Sequence, residues 1–198
     1  MSKLTYVSME YSLENCLKLV DHMKNYKLED IVVIGIADNR IKYLQHTGLD
    51  RKETEATPDS EEMRFTAYEK GVDSVILVHN HPDCYIGACP SLPDIDFLNC
   101  QMRSFAFLDI TVRDALIVSK NPILPYFSFR ESNLLDDEYN LLTKKDRQRV
   151  RRLQKKIENE AGMQEFSKEL SKCVPIMQQN LLLMEKISDK LAKIEMAL

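Results

Sequence analysis

The stretch Val72-Asp73-Ser74-Val75-Ile76-Leu77-Val78-His79-Asn80-His81-Pro82, continued by Pro90-Ser91-Leu92-Pro93-Asp94, decides how this 198-residue chain is read. Residues 72–79 are almost continuously apolar, the pattern of a strand covered on both faces and therefore central in its sheet. Two histidines one residue apart follow where that strand ends. Pro93 suits the first position of a helix running to about Leu108, which puts Asp94 at the helix start. A catalytic zinc takes three protein ligands from His and carboxylate and leaves a fourth position for water. His79, His81 and Asp94 can supply that set, although two histidines in a loop can equally be surface residues. The chain has only four His, and two of them form this His-x-His.

Outward from the centre, apolar runs alternate with helical patterns, as in an α/β domain. Upstream, residues 11–26 place Leu13, Leu17, Val20 and Met23 at helical spacing. Residues 30–37 are a β-branched run that reads as a buried strand. Asp38-Asn39-Arg40 can turn it into a second strand at 41–46, giving a hairpin. Residues 49–59 are polar and aperiodic, which predicts a loop. Residues 61–71 read as a helix capped by Ser60 or Asp59 and stopped at Gly71. Downstream, 110–119 and 126–129 read as two more strands. The expected fold is α/β, a mixed β-sheet flanked by helices.

From Asp136 onward no strand signal remains. Phe166, Leu170, Cys173, Met177, Asn180, Met184, Ile187, Leu191, Ile194 and Leu198 form a heptad seam, interrupted by Pro175. Leu135, Tyr139, Leu142, Val150, Leu153 and Ile157 mark an earlier helix, with Gly162 as a corner. The expected division is therefore a domain over 1–135 and a helical, coiled-coil-like tail over 136–198. The seam fits a hairpin packing within the chain and a homo-oligomer equally well, because a seam does not name its partner.

Hydrophobic residues make up 44% and charged residues 29%, the balance of a folded globular protein. The apolar runs are too short to cross a bilayer, and residues 1–6 show no secretory signal. Five unevenly spaced cysteines do not make a disulfide framework. A cytoplasmic protein without membrane contact is expected. The net charge of −4 hides an asymmetry: residues 144–156 carry +7, leaving −11 for the rest. That basic run reads first as a solvated helix face, and a nucleic-acid contact through it stays open.

The motif and its surroundings are those of a known family. His79-Asn80-His81-Pro82 with Ser91-Leu92-Pro93-Asp94 resembles the RadC-like branch of the JAB/MPN metallopeptidases, whose signature is His-x-His-x7-Ser-x-x-Asp with an upstream Glu. The resemblance extends over about residues 28–135, through the strand before His79, the segment 108–114 and the closing strand 126–129. It implies that His79, His81 and Asp94 ligate Zn2+, that Ser91 hydrogen-bonds to water or to the oxyanion, and that Glu62 is the general base. Glu62 is preferred to its neighbour Glu61 on pattern alone, since a helix start favours either carboxylate. Ser91 alone reads equally as a helix cap.

Three departures stand out. Nine residues separate His81 from Ser91 rather than seven, Asp83-Cys84 replaces Ser-Gly, and Asp114-Ala115 replaces Asp-His. Cys84 and Cys89 suggest extra ligands or a redox pair, but two small side chains in a lengthened loop explain them as well. The function implied by the resemblance is a zinc-dependent peptidase or isopeptidase acting on a peptide or protein conjugate. The alternatives are a nucleic-acid-associated protein and an inactive MPN-type scaffold. A zinc nucleobase deaminase is excluded, because His-x-Glu and Pro-Cys-x-x-Cys are both missing.

Overall fold

Residues 3–53, 55–82, 87–135 and 141–164 are described in the computed structural model of the chain. The sheet forms around the apolar run of residues 72–79. Strand β6 (Ser74–Asn80) is buried along its whole length. It pairs antiparallel with β2 (Ile31–Ala37) on one side and parallel with β7 (Thr111–Val118) on the other. The hairpin expected after residue 37 exists: Ala37 pairs with Arg40, and Asp38 and Asn39 both take positive φ (52° and 56°). That is the two-residue turn whose twist matches its strands, and it leads into β3 (Arg40–His46). Strand β8 (Tyr126–Ser128) closes one edge. At the other edge lies β1 (Lys3–Glu10), which pairs with β3 and which the sequence reading leaves unassigned. The six-stranded order is β1-β3-β2-β6-β7-β8.

Side-chain alternation divides the core between the two faces of this sheet. Val33, Val75, Leu77 and Ile117 pack with Met63, Ala67, Ile95, Leu98 and Phe105, the inward stripes of α2 (Ser60–Glu69) and α3 (Leu92–Ala106). Val32, Ile34, Ile76, Val78 and Leu116 pack with Cys16 and Val20 of α1 (Leu13–Val20) and with Met23 of the 3-10 turn that follows. The architecture is thus the expected mixed sheet flanked by helices. Parity also fixes the site: His79 follows Val75 and Leu77 on the face that α3 covers, and Asn80 turns the other way.

Two expectations are corrected. Residues 49–59 are not plain loop, because Gly48–Arg51 (β4) and Ala56–Pro58 (β5) form a small antiparallel pair. Polar two-stranded ribbons lack the apolar alternation from which strands are read. The second concerns the boundary after residue 135. The chain divides into compact units Met1–Ile157 and Glu158–Leu198. Residues 144–164 are helical, and Leu142 and Val150 are buried in the same core as α3. The start of the expected tail is therefore part of the α/β body. The heptad seam from Phe166 to Leu198, Tyr139 and Cys84 all lie outside the described residues. Among the described residues, no helix is long and apolar enough to cross a membrane.

Candidate metal centre

Strand β6 ends by delivering His79 and His81 to the mouth of the α3 layer, and α3 begins there. Ser91 is the α3 N-cap, with its hydroxyl accepting from the Asp94 N–H at 3.4 Å. The Asp94 carboxylate reaches back and accepts from both the Ser91 N–H and the Ser91 hydroxyl at 2.6 Å. This reciprocal box satisfies helix-end donors that otherwise stay unpaired, and it fixes the Asp94 rotamer. Oδ1 of Asp94 then stands 3.1 Å from His79 Nε2, and Oδ2 3.8 Å from His81 Nε2. The two Nε2 atoms are 3.2 Å apart.

The three expected ligands therefore converge. Ligand atoms about 2.0–2.1 Å from a tetrahedral zinc lie about 3.3–3.4 Å from one another, and these spacings are close to that edge. Tautomer control points the same way. The backbone carbonyl of Gly87 faces His81 Nδ1 at 3.4 Å, so Nδ1 carries the proton and Nε2 offers its lone pair. Gly87 has φ +69°, and a Cβ there would meet the Leu124 carbonyl at 2.7 Å. Only glycine suits this turn of the lengthened loop.

A fourth residue joins them. Side-chain atoms of Glu29, His79, His81 and Asp94 all lie within 4.8 Å of one another. No motif in the sequence marks Glu29. It precedes β2, and the antiparallel register that pairs Ile31 with His79 brings it to the histidines. The segment around Glu29 is held at several points. Its N–H donates to the Lys52 carbonyl at 2.7 Å, just past β4. The neighbouring Asp30 carboxylate, fully buried, contacts His46 Nδ1 at 2.8 Å and Arg51 Nε at 3.0 Å. The only sequence signal was a pair of acids at the entry of an apolar strand.

Glu62, the base that the resemblance implies, lies outside this cluster. It lies in the first turn of α2, where its N–H donates to the Asp59 cap at 3.0 Å. Ser60, two residues earlier, accepts from Gln101. Gln101 is seven residues past Asp94, about 10 Å along α3 at 1.5 Å per residue. Glu62 is not one of the four clustered residues.

The four ionisable groups perturb one another strongly. Burial works against a proton on His79, yet the Asp94 carboxylate and the Glu29 charge outweigh it and raise its pKa. Burial and the charge of His79 push His81 down to about 4. Against its own burial, Asp94 is held well below the usual carboxylate range by the two histidines and by Ser91. Burial, helped by Asp94 and Glu55 and opposed by His79, pushes Glu29 up to about 7. Two carboxylates and two imidazoles packed this closely are what a divalent cation relieves.

Comparison with known proteins adds one match. A family model described as "RadC-like JAB domain" matches residues 11–134, well over half of the chain. It covers β2 to β8, α1 to α3, and the four clustered residues, and ends before the helical segment 144–164. No curated protein matches the chain.

Proposed function

The chain belongs to the RadC-like JAB family, and from the four-residue centre inside the matched region we infer that it is a zinc-dependent hydrolase of peptide or isopeptide bonds. The observation that carries this reading is the convergence of Glu29, His79, His81 and Asp94 within 4.8 Å. Two imidazoles and one carboxylate form the donor set that suits zinc at a catalytic site with an open position. His79, His81 and Asp94 would hold the ion, and Ser91 and the Gly87 carbonyl orient two of those three ligands. When bound, zinc supplies Lewis acidity toward a carbonyl oxygen and makes a neighbouring water more acidic.

The chain's own residues do the rest. Glu29 is the group placed to move protons: its carboxylate takes one from the attacking water and delivers it to the leaving amine nitrogen. A carboxyl held near neutrality can do both. We therefore assign the general base to Glu29 rather than to Glu62. The Ser91 hydroxyl is bonded to Asp94, which favours a positioning role through that ligand over direct oxyanion support. A peptide or protein-conjugate substrate follows from the family rather than from a pocket.

The test combines elemental analysis with an assay. Purified protein should carry about one zinc per chain and hydrolyse fluorogenic peptides or lysine-linked conjugates. A chelator should stop the reaction and added zinc restore it. Absence of both zinc uptake and chelator-sensitive hydrolysis would refute the reading.

A further inference from the structure

Asn80 sits between the two histidines, and its side chain does something neither of them does. On β6 it points to the opposite face from His79, and it is fully buried. Its Oδ1 accepts from the Asp30 N–H at 2.8 Å. Its Nδ2 donates to the Leu28 carbonyl at 3.2 Å. Those two peptide groups flank Glu29 directly. The pairing of β2 with β6 runs from Ile36–Ser74 to Ile31–His79 and stops there. One side-chain amide thus continues the sheet's hydrogen bonding past its end, with both its donor and its acceptor engaged.

We propose that Asn80 is a positioning residue for Glu29: its amide clamps the backbone on both sides of Glu29 and so fixes the carboxylate beside His79, His81 and Asp94. The inference rests on the functional reading above. The sequence that carries two ligands thereby also carries the device that places the base. Asn suits this position because it alone among short side chains offers a donor and an acceptor in one plane. Asp would lose the donor and bury a charge. Ser would be too short to reach two peptide groups two residues apart. The bond from the Glu29 N–H to the Lys52 carbonyl comes from beside β4, and the Asp30 carboxylate contacts to His46 and Arg51 hold the side chain of the next residue, whereas the Asn80 amide grips the backbone on both sides of Glu29.

The test is a double-mutant cycle on zinc affinity, which needs no substrate. Glu29 adds negative charge next to a divalent cation, so the site binds Zn2+ more tightly while the carboxylate is held there. Asn80→Ala should weaken Zn2+ binding about tenfold in the Glu29 protein, the scale of lost outer-shell support, and less than about twofold in the Glu29→Gln background. Equal weakening in both backgrounds would mean that Asn80 merely supports the histidines, and it overturns the proposal. No weakening in either overturns it too. Amide hydrogen exchange on the unmodified protein covers the case in which Asn80→Ala does not fold. The Asp30 amide should be protected like a strand amide, and exchange at the rate of a free amide removes the clamp. Failure to bind zinc in all variants counts against the functional reading, while the exchange measurement still decides the clamp.

Discussion

The side-chain amide of Asn99 and the backbone of Leu142 exchange two hydrogen bonds: Nδ2 donates to the Leu142 carbonyl at 3.0 Å, and Oδ1 accepts from its N–H at 2.8 Å. Asn99 lies in α3, five residues past Asp94, so the segment after residue 140 is bonded to the helix that carries a proposed metal ligand.

The first prediction follows from that bond. Ending the chain after residue 135 removes Leu142 and Val150, both buried in the core, and leaves the Asn99 amide without its partner. Each buried side chain is worth about 1.5–3 kcal/mol, against a total stability of about 5–15 kcal/mol. The 1–135 fragment should melt at markedly lower urea concentration than a fragment ending after residue 164. Equal urea midpoints would show that the helix lies on the body without stabilising it.

The second separates the two glutamates. Glu29→Gln should lower hydrolysis by about 10²–10⁴ while zinc stays bound, though less tightly, because the amide cannot carry a proton. Glu62→Gln should leave turnover near that of the unmodified protein. A larger loss for Glu62→Gln, measured on the same substrate, would return the base to α2.

The third concerns pH and the metal. Zinc must displace the proton from His79, whose pKa is raised, whereas His81 is already neutral above about 4. Zinc affinity should therefore fall as pH drops through the range where His79 binds its proton, and level off once His79 is neutral. The slope is roughly tenfold per pH unit for one displaced proton. Calorimetric titration at several pH values checks this, and a flat profile from about pH 5.5 to 7.5 would contradict it.

The fourth is independent of the metal. Asp114 is buried and accepts from the Ser128 hydroxyl and from the Ala115 and Arg130 N–H groups. Burial still pushes its pKa up to about 6. The native state then holds this proton more tightly than the unfolded chain does. The contribution of Asp114 is full below about pH 4 and is lost as pH rises to about 6, on the order of 3 kcal/mol. Asp114→Asn cannot ionise, so its stability relative to the unmodified protein should improve over that interval. A constant difference between the two urea-melting series would exclude the effect.

A fifth concerns the basic segment. Arg147 pairs with Asp96 of α3, and Arg149 donates to the carbonyls of Asn133 and Ser132. Two of the eight basic residues thus attach their helix to the body. Substituting them with Gln should lower stability slightly and leave nucleic-acid binding, expected to be weak at physiological salt, unchanged. Tight DNA binding that Arg151→Gln with Arg152→Gln abolishes, read by anisotropy at two salt concentrations, would favour a nucleic-acid role instead.

The amino-acid pattern marks the sheet's centre, its hairpin, the two helices behind it, and three members of the four-residue cluster. An all-apolar strand, a two-residue turn and a Ser-x-x-Asp helix start are each read from local spacing, and His79, His81 and Asp94 lie on or beside such features. Glu29 is hidden in the sequence because its place in the cluster comes from β2–β6 pairing, which joins residues 50 apart through the Asn80 amide. The β4–β5 ribbon has no apolar alternation to betray it, yet Lys52 beside it holds the Glu29 N–H. Glu62 carried a family pattern at a helix start, where any carboxylate is favoured by the dipole. Which acid meets the histidines is set by strand register, and register is a property of the folded sheet rather than of either strand alone.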